Sequence, residues 1–168
     1  MESIHKLELL IASWYKGMPH LPKNGQKWLA QNAWWLVLIG VIFGVMGIFF
    51  VISVTLLAGM FLAGFGGFAG VAAGGIALLA VLVYLIFSIA EVVLSAMAIA
   101  PLKTMRTQGW TLLFMAMLVN VLSLVFSFLF NFNLFSLVWG LIIVAIAMFF
   151  LFEVRDYFTA SHSNKNKN

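Results

Sequence analysis

Four long apolar runs, separated by short connections and with charged residues gathered at their flanks, limit this chain to one kind of fold. Each run reaches the roughly 20 residues that a helix needs to cross about 30 Å of hydrocarbon. With no water in the bilayer core, a spanning segment must satisfy its own backbone N–H and C=O groups, which a helix does within itself. The composition agrees. Hydrophobic residues make up 64% of the chain and charged residues 8%, with a mean hydropathy of +1.12, whereas soluble domains carry about 25% charge. The expected fold is all-α, an integral membrane four-helix bundle preceded by a short amphipathic helix.

Residues 1–32 form an N-terminal segment. In "ESIHKLELLIASWYKG", Ile4, Leu7, Ile11 and Trp14 recur at helical spacing while Glu2, His5, Lys6, Glu8 and Lys16 take other faces. Such a helix lies in the lipid interface or docks on a partner. Pro19 and Pro22 then interrupt the chain. The membrane domain covers 33–152, with spans at about 33–58, 76–100, 110–130 and 134–152. Lys23, Lys27, Trp28, Trp34 and Trp35 make a basic and aromatic girdle at the start of the first span.

Between the first two spans, residues 59–75 read "GMFLAGFGGFAGVAAGG". Glycine at this density weakens a helix in water, so the segment is expected to be a compact apolar cap with some helical turns, or else a broken, re-entrant helix. Pro101 is expected to stop the second span, and "NFN" to make a tight turn between the third and fourth. Residues 153–168 read as a disordered polar tail.

All nine basic residues fall on one side of this arrangement. Lys6, Lys16, Lys23 and Lys27 precede the first span, Lys103 and Arg106 join the second to the third, and Arg155, Lys165 and Lys167 follow the fourth. The positive-inside rule then places both termini in the cytoplasm, and a prokaryotic plasma membrane is the favoured location. The same flanking pattern gives the net charge of +4 a topological origin rather than a nucleic-acid partner. The expected partners are the lipid bilayer and either further copies of the chain or another membrane protein.

The spans contain one acidic residue, Glu91, and no His or Asp, while the chain has no cysteine. General acid–base pairs, metal-ligand clusters and thiol chemistry lack their minimum parts. Neither catalysis, a cofactor nor a metal is expected. Glu91 lies ten residues before Pro101, about 15 Å along the helix and near mid-bilayer. A charge there costs on the order of 3 kcal/mol, so the carboxyl is expected to be protonated and to face protein.

The neighbours of Glu91 show which face that is. Tyr84, Ser88, Glu91 and Ser95 recur at spacings of four, three and four, and Ala116, Asn120, Ser123 and Ser127 repeat them on the third span. The two rows mirror one another about the connecting turn, so an antiparallel hairpin sets Glu91 beside Asn120, with Ser88 near Ser123 and Tyr84 near Ser127. A neutral Glu can both donate to and accept from an Asn side chain. As structure, this seam is interhelical glue worth about 0.6–2 kcal/mol per bond. As function, Glu91 is a proton or cation site with Asn120, Ser88 and Tyr84 around it.

A second pattern joins the first and fourth spans. Gly40, Gly44 and Gly47 form a small-residue face that Gly140, Val144 and Ala147 could meet in an antiparallel pair, and homodimerisation through the same glycines is the rival arrangement. Four spans with one intramembrane Glu are similar in outline to the small multidrug resistance transporters. Those place the carboxylate in their first helix and this chain in its second, so their function is not carried over.

Two functions follow. The first is a non-catalytic accessory, scaffold or assembly partner acting through helix contacts. The second is a small proton- or cation-coupled transporter or channel subunit that uses Glu91. For the topology, single cysteines replacing Lys16, Thr104 and Ser163 should react with a membrane-impermeant thiol reagent only from the cytoplasmic side. Reaction of the Thr104 variant from outside would sink the four-span arrangement.

Overall fold

The computed structural model describes residues 2–15 and 17–163, which form six helices and no strand. These are α1 (Glu2–Tyr15), α2 (Lys23–Phe65), α3 (Gly67–Lys103), α4 (Thr107–Asn131), α5 (Leu134–Glu153) and α6 (Arg155–Ser163). Four of them, α2 to α5, are long and apolar enough to cross a membrane, and the chain is an all-α multi-pass membrane protein. Lys16, Lys165 and Lys167 lie outside the described residues.

Each spanning helix packs on its sequence neighbour, α2 on α3, α3 on α4 and α4 on α5. The result is an open ring in which α2 and α5 are not a packed pair. The described basic residues of the flanks gather at one end, the basic end: Arg155 pairs with Glu8, Lys103 lies over the Trp34 ring, and Tyr157 Oη donates to the Lys23 carbonyl.

Most of the buried core also sits at the basic end. Trp110 is 2% exposed, donates its indole N–H to the Leu151 carbonyl at 2.8 Å and stacks on the fully buried Phe114. Leu102, Met148, Val154 and Phe158 complete this cluster. Gly109 lets α4 begin against the last turn of α3, since a Cβ there would stand 2.7 Å from the Leu102 backbone nitrogen. Pro101 sits inside that last turn rather than ending the helix before it.

The amphipathic helix α1 docks on its own bundle. Its Ile11 is buried, its Tyr15 ring stacks on Phe152, and the Tyr15 hydroxyl donates to the Ala145 carbonyl at 3.0 Å. Burial pushes the Tyr15 phenol above its ordinary pKa. The tail expected to be disordered is helical over Arg155–Ser163, because Val154 and Phe158 give it an apolar anchor and Thr107 Oγ1 donates to the Phe158 carbonyl. Its last five residues lie outside the described residues.

The largest departure from the sequence reading is the glycine-rich segment. It is neither a cap nor a re-entrant loop: α2 runs through it to Phe65 and α3 starts at Gly67, so the two helices are 43 and 37 residues long. Glycine's helical penalty of about 1 kcal/mol applies in water, whereas a backbone group left unpaired in hydrocarbon costs several times more. The helix is therefore the cheaper state. Gly67 makes the reversal with φ at +54°, and Gly70 allows the close approach, since a Cβ there would lie 2.5 Å from the Leu62 carbonyl oxygen.

This α2–α3 hairpin is longer than its partner. Ala80 and Asn131 share one crevice, which sets the end of α4 level with Ala80. The residues of α3 before Ala80 therefore project about 20 Å past the α4–α5 turn. That turn is short, with Phe132 left-handed at φ 48° and the Asn133 side chain capping α5 through the Ser136 N–H. Gly70→Ala should destabilise the hairpin by about 1–3 kcal/mol through the carbonyl clash. Gly64→Ala, with open space around its Cβ, should be neutral or stabilising by up to about 1 kcal/mol. Thermal unfolding in detergent distinguishes the two variants.

Candidate functional site

The register between α3 and α4 brings Glu91 and Asn120 together. Asn120 Nδ2 donates to Glu91 Oε2 at 2.8 Å. Above this bond the Phe87 and Phe126 rings lie 5.1 Å apart, and the two helices continue in contact. Ser123 is buried at 9% exposure, and Tyr84, Ser123 and Ser127 line one crevice of about 350 Å³ between α2, α3 and α4. The reciprocal pairing open to a neutral Glu and an Asn is only half used: no hydrogen bond from the described residues reaches Glu91 Oε1.

The other side of Glu91 faces a larger space. A cavity of about 780 Å³ lies where α2 and α5 fail to meet. On α3 it is lined by the row Tyr84, Ser88, Glu91 and Ser95, and on α2 by Gly40, Gly44 and Gly47. Ala147, Phe150 and Leu151 form the α5 wall, and Leu113 and Met117 of α4 close the back. Apart from the α3 row, these linings are apolar.

The proposed packing of the first span on the fourth is not what the glycines do. Gly44 accepts Val92 of α3, whose Cγ2 would be 2.8 Å from a Cβ, and Gly140 accepts the Leu124 side chain of α4 at 2.5 Å. Gly40 and Gly47 have nothing within 4 Å. They face Ala147 across the cavity instead of packing against it. A small residue permits close approach without naming the neighbour, and here each used glycine was taken by the helix adjacent in sequence.

One cluster had no signal in the local pattern. Glu153, its side chain 4% exposed at the end of α5, accepts from the Leu21 N–H at 2.9 Å, from Gln26 Nε2 at 2.8 Å and from His20 Nδ1. These donors come from the connection before α2 and its first turns. The clamp fastens the start of α2 to α5 at the basic end. Its partners sit at opposite ends of the chain, so no periodicity within a segment could have paired them.

Chemically, the cavity offers one carboxyl oxygen, three hydroxyls and a wide apolar wall. Among the described residues no group of three or more His, Cys, Asp or Glu could hold a metal ion. No protein-family model, curated protein or solved structure matches the chain. The seam can be checked directly: a cysteine pair at Ser88 and Ser123 should crosslink readily, while a pair at Val93 and Leu122, both about half exposed on the outer faces, should not. Equal crosslinking of both pairs would rule out the register.

Proposed function

We propose that the protein is a small, non-catalytic multi-pass membrane protein that works through the Glu91 cavity, as a proton- or cation-coupled transporter or channel subunit. The observation that carries this reading is the position of Glu91. Its carboxyl is held by Asn120 through one oxygen and lines an open intramembrane cavity with its other face. An ionisable group at mid-bilayer is costly and is retained where it pairs or lines a pathway. A purely structural carboxyl needs only the first of these. Asn120 positions the group, and Ser88 and Tyr84 supply hydroxyls along the same wall.

Both termini at the cytoplasmic side, in a cell membrane of prokaryotic type, remain the orientation and location proposed. The described basic residues gathering at one end of the bundle support that orientation.

A second reading, an accessory or assembly partner acting through helix contacts, draws on the α2–α3 hairpin. Its tip carries Phe61, Phe65 and Phe68 at 64%, 82% and 92% exposure, and Gly59, Gly64, Gly74 and Gly75 have open space beside them. Helices of a second copy or of another membrane protein could pack there.

Glu91→Gln separates the two readings. Gln keeps the size of a protonated Glu and its hydrogen bond with Asn120, so folding stability should change by less than about 1 kcal/mol. In reconstituted vesicles the variant should lose pH-dependent flux altogether. Flux that survives the substitution unchanged would reverse the ranking.

A further inference from the structure

The Glu91 cavity opens sideways, between α2 and α5. At the basic end the Glu153 clamp and the bond from Tyr157 to the Lys23 carbonyl tie the start of α2 to α5 and α6. Along its length it is bounded by α2 and α5, which are not packed together. Phe43 from α2 and Phe150 from α5 stand at its rim, 67% and 41% exposed on the surface that contacts the bilayer. A void of this size between membrane helices fills with whatever the neighbouring phase supplies, and that phase is hydrocarbon.

Within the cavity the polar groups are confined to one wall. Glu91 Oε2 is taken by Asn120, while Oε1 carries no hydrogen bond from the described residues and the wall around it is apolar. A carboxyl oxygen in such surroundings, donating when protonated and accepting when not, gains from any hydrogen-bonding group that reaches it. We propose that the cavity binds a membrane-dissolved, largely apolar molecule bearing one hydrogen-bonding group, a hydroxyl or an amine. It enters sideways between α2 and α5 and places that group on Glu91 Oε1. This inference rests on Glu91 being a working site, and it names what that site holds.

The test uses the full chain in lipid nanodiscs and two photoreactive probes: an aryl diazirine bearing a hydroxymethyl group, and the same diazirine with a methyl group in its place. After illumination, adducts are mapped by mass spectrometry. The hydroxymethyl probe should label the cavity walls of α2, α3 and α5 about three- to thirtyfold more than the methyl probe, the range one hydrogen bond in a membrane supports. Gly47→Leu should fill the cavity, since a Cβ there meets nothing within 4 Å, and remove the labelling while leaving the fold intact. Glu91→Leu should erase the preference between probes. Equal labelling by both probes, labelling spread evenly over the outer helix faces, or labelling untouched by Gly47→Leu would overturn the proposal.

Glu91→Gln keeps the two claims apart, because its amide oxygen stays on Asn120 and its NH2 can still hydrogen-bond a hydroxyl in the cavity, but the side chain cannot release a proton. Cavity labelling should persist in that variant within about twofold of the parent. Persistent labelling without proton-linked flux in the parent would sink the transport reading alone. Proton-linked flux without selective labelling would sink the ligand alone.

Discussion

A backbone carbonyl or N–H left unpaired in hydrocarbon costs several kcal/mol, and the architecture follows from avoiding that cost. It overrides the poor helix propensity of a segment with seven glycines from Gly59 to Gly75, and it leaves only one residue, Gly66, between two long helices. It also forces the few irregular connections to close their own hydrogen bonds. Gly66 N–H returns to the Leu62 carbonyl, Phe132 N–H to Phe128, and Met105 N–H to Leu102. With local bonding complete, the helices are free to associate by packing alone, and neighbours in sequence pack first.

Packing alone does not close the ring. At the basic end, aromatic stacking around Trp110 and Phe114, the indole bond to Leu151 and the Arg155–Glu8 pair hold α1, α4, α5 and α6 in one cluster. Toward the other end the side chains of α2 and α3 become exposed. The seam between α2 and α5 depends on one buried carboxylate, Glu153, which gathers three donors from the other end of the chain. The two acidic side chains that matter most therefore have opposite tasks. Glu153 is saturated with partners and fixes a joint; Glu91 keeps one oxygen open inside the cavity.

How much of this was legible depended on whether a signal was local. The four spans, the short "NFN" reversal and the Glu91–Asn120 contact could be read because hydropathy, turn chemistry and mirrored polar spacing are properties of adjacent segments. The glycine-rich stretch misled, because propensities measured in water do not hold where water is absent. Gly40, Gly44 and Gly47 suggested the wrong neighbour, since lacking a side chain is a permission and not an address. The Glu153 clamp and the cavity were invisible: both arise between segments far apart in the chain, and a cavity is made by residues that fail to touch.

The unequal hairpins have a consequence for the surrounding lipid. From Ala33 to Phe65 and from Gly67 to Ala100 the apolar length is about 50 Å, against about 30 Å of hydrocarbon. Tilting by up to about 40° removes only part of this mismatch, and α4, packed along α3, must share any tilt. α5, with 20 residues, matches an ordinary bilayer. The protein is thus a wedge in thickness, with one flank that stretches its lipids and another that leaves them relaxed. At a cost of fractions of a kcal/mol per ångström, that mismatch favours a thicker bilayer beside the long hairpin and an ordinary one beside α5.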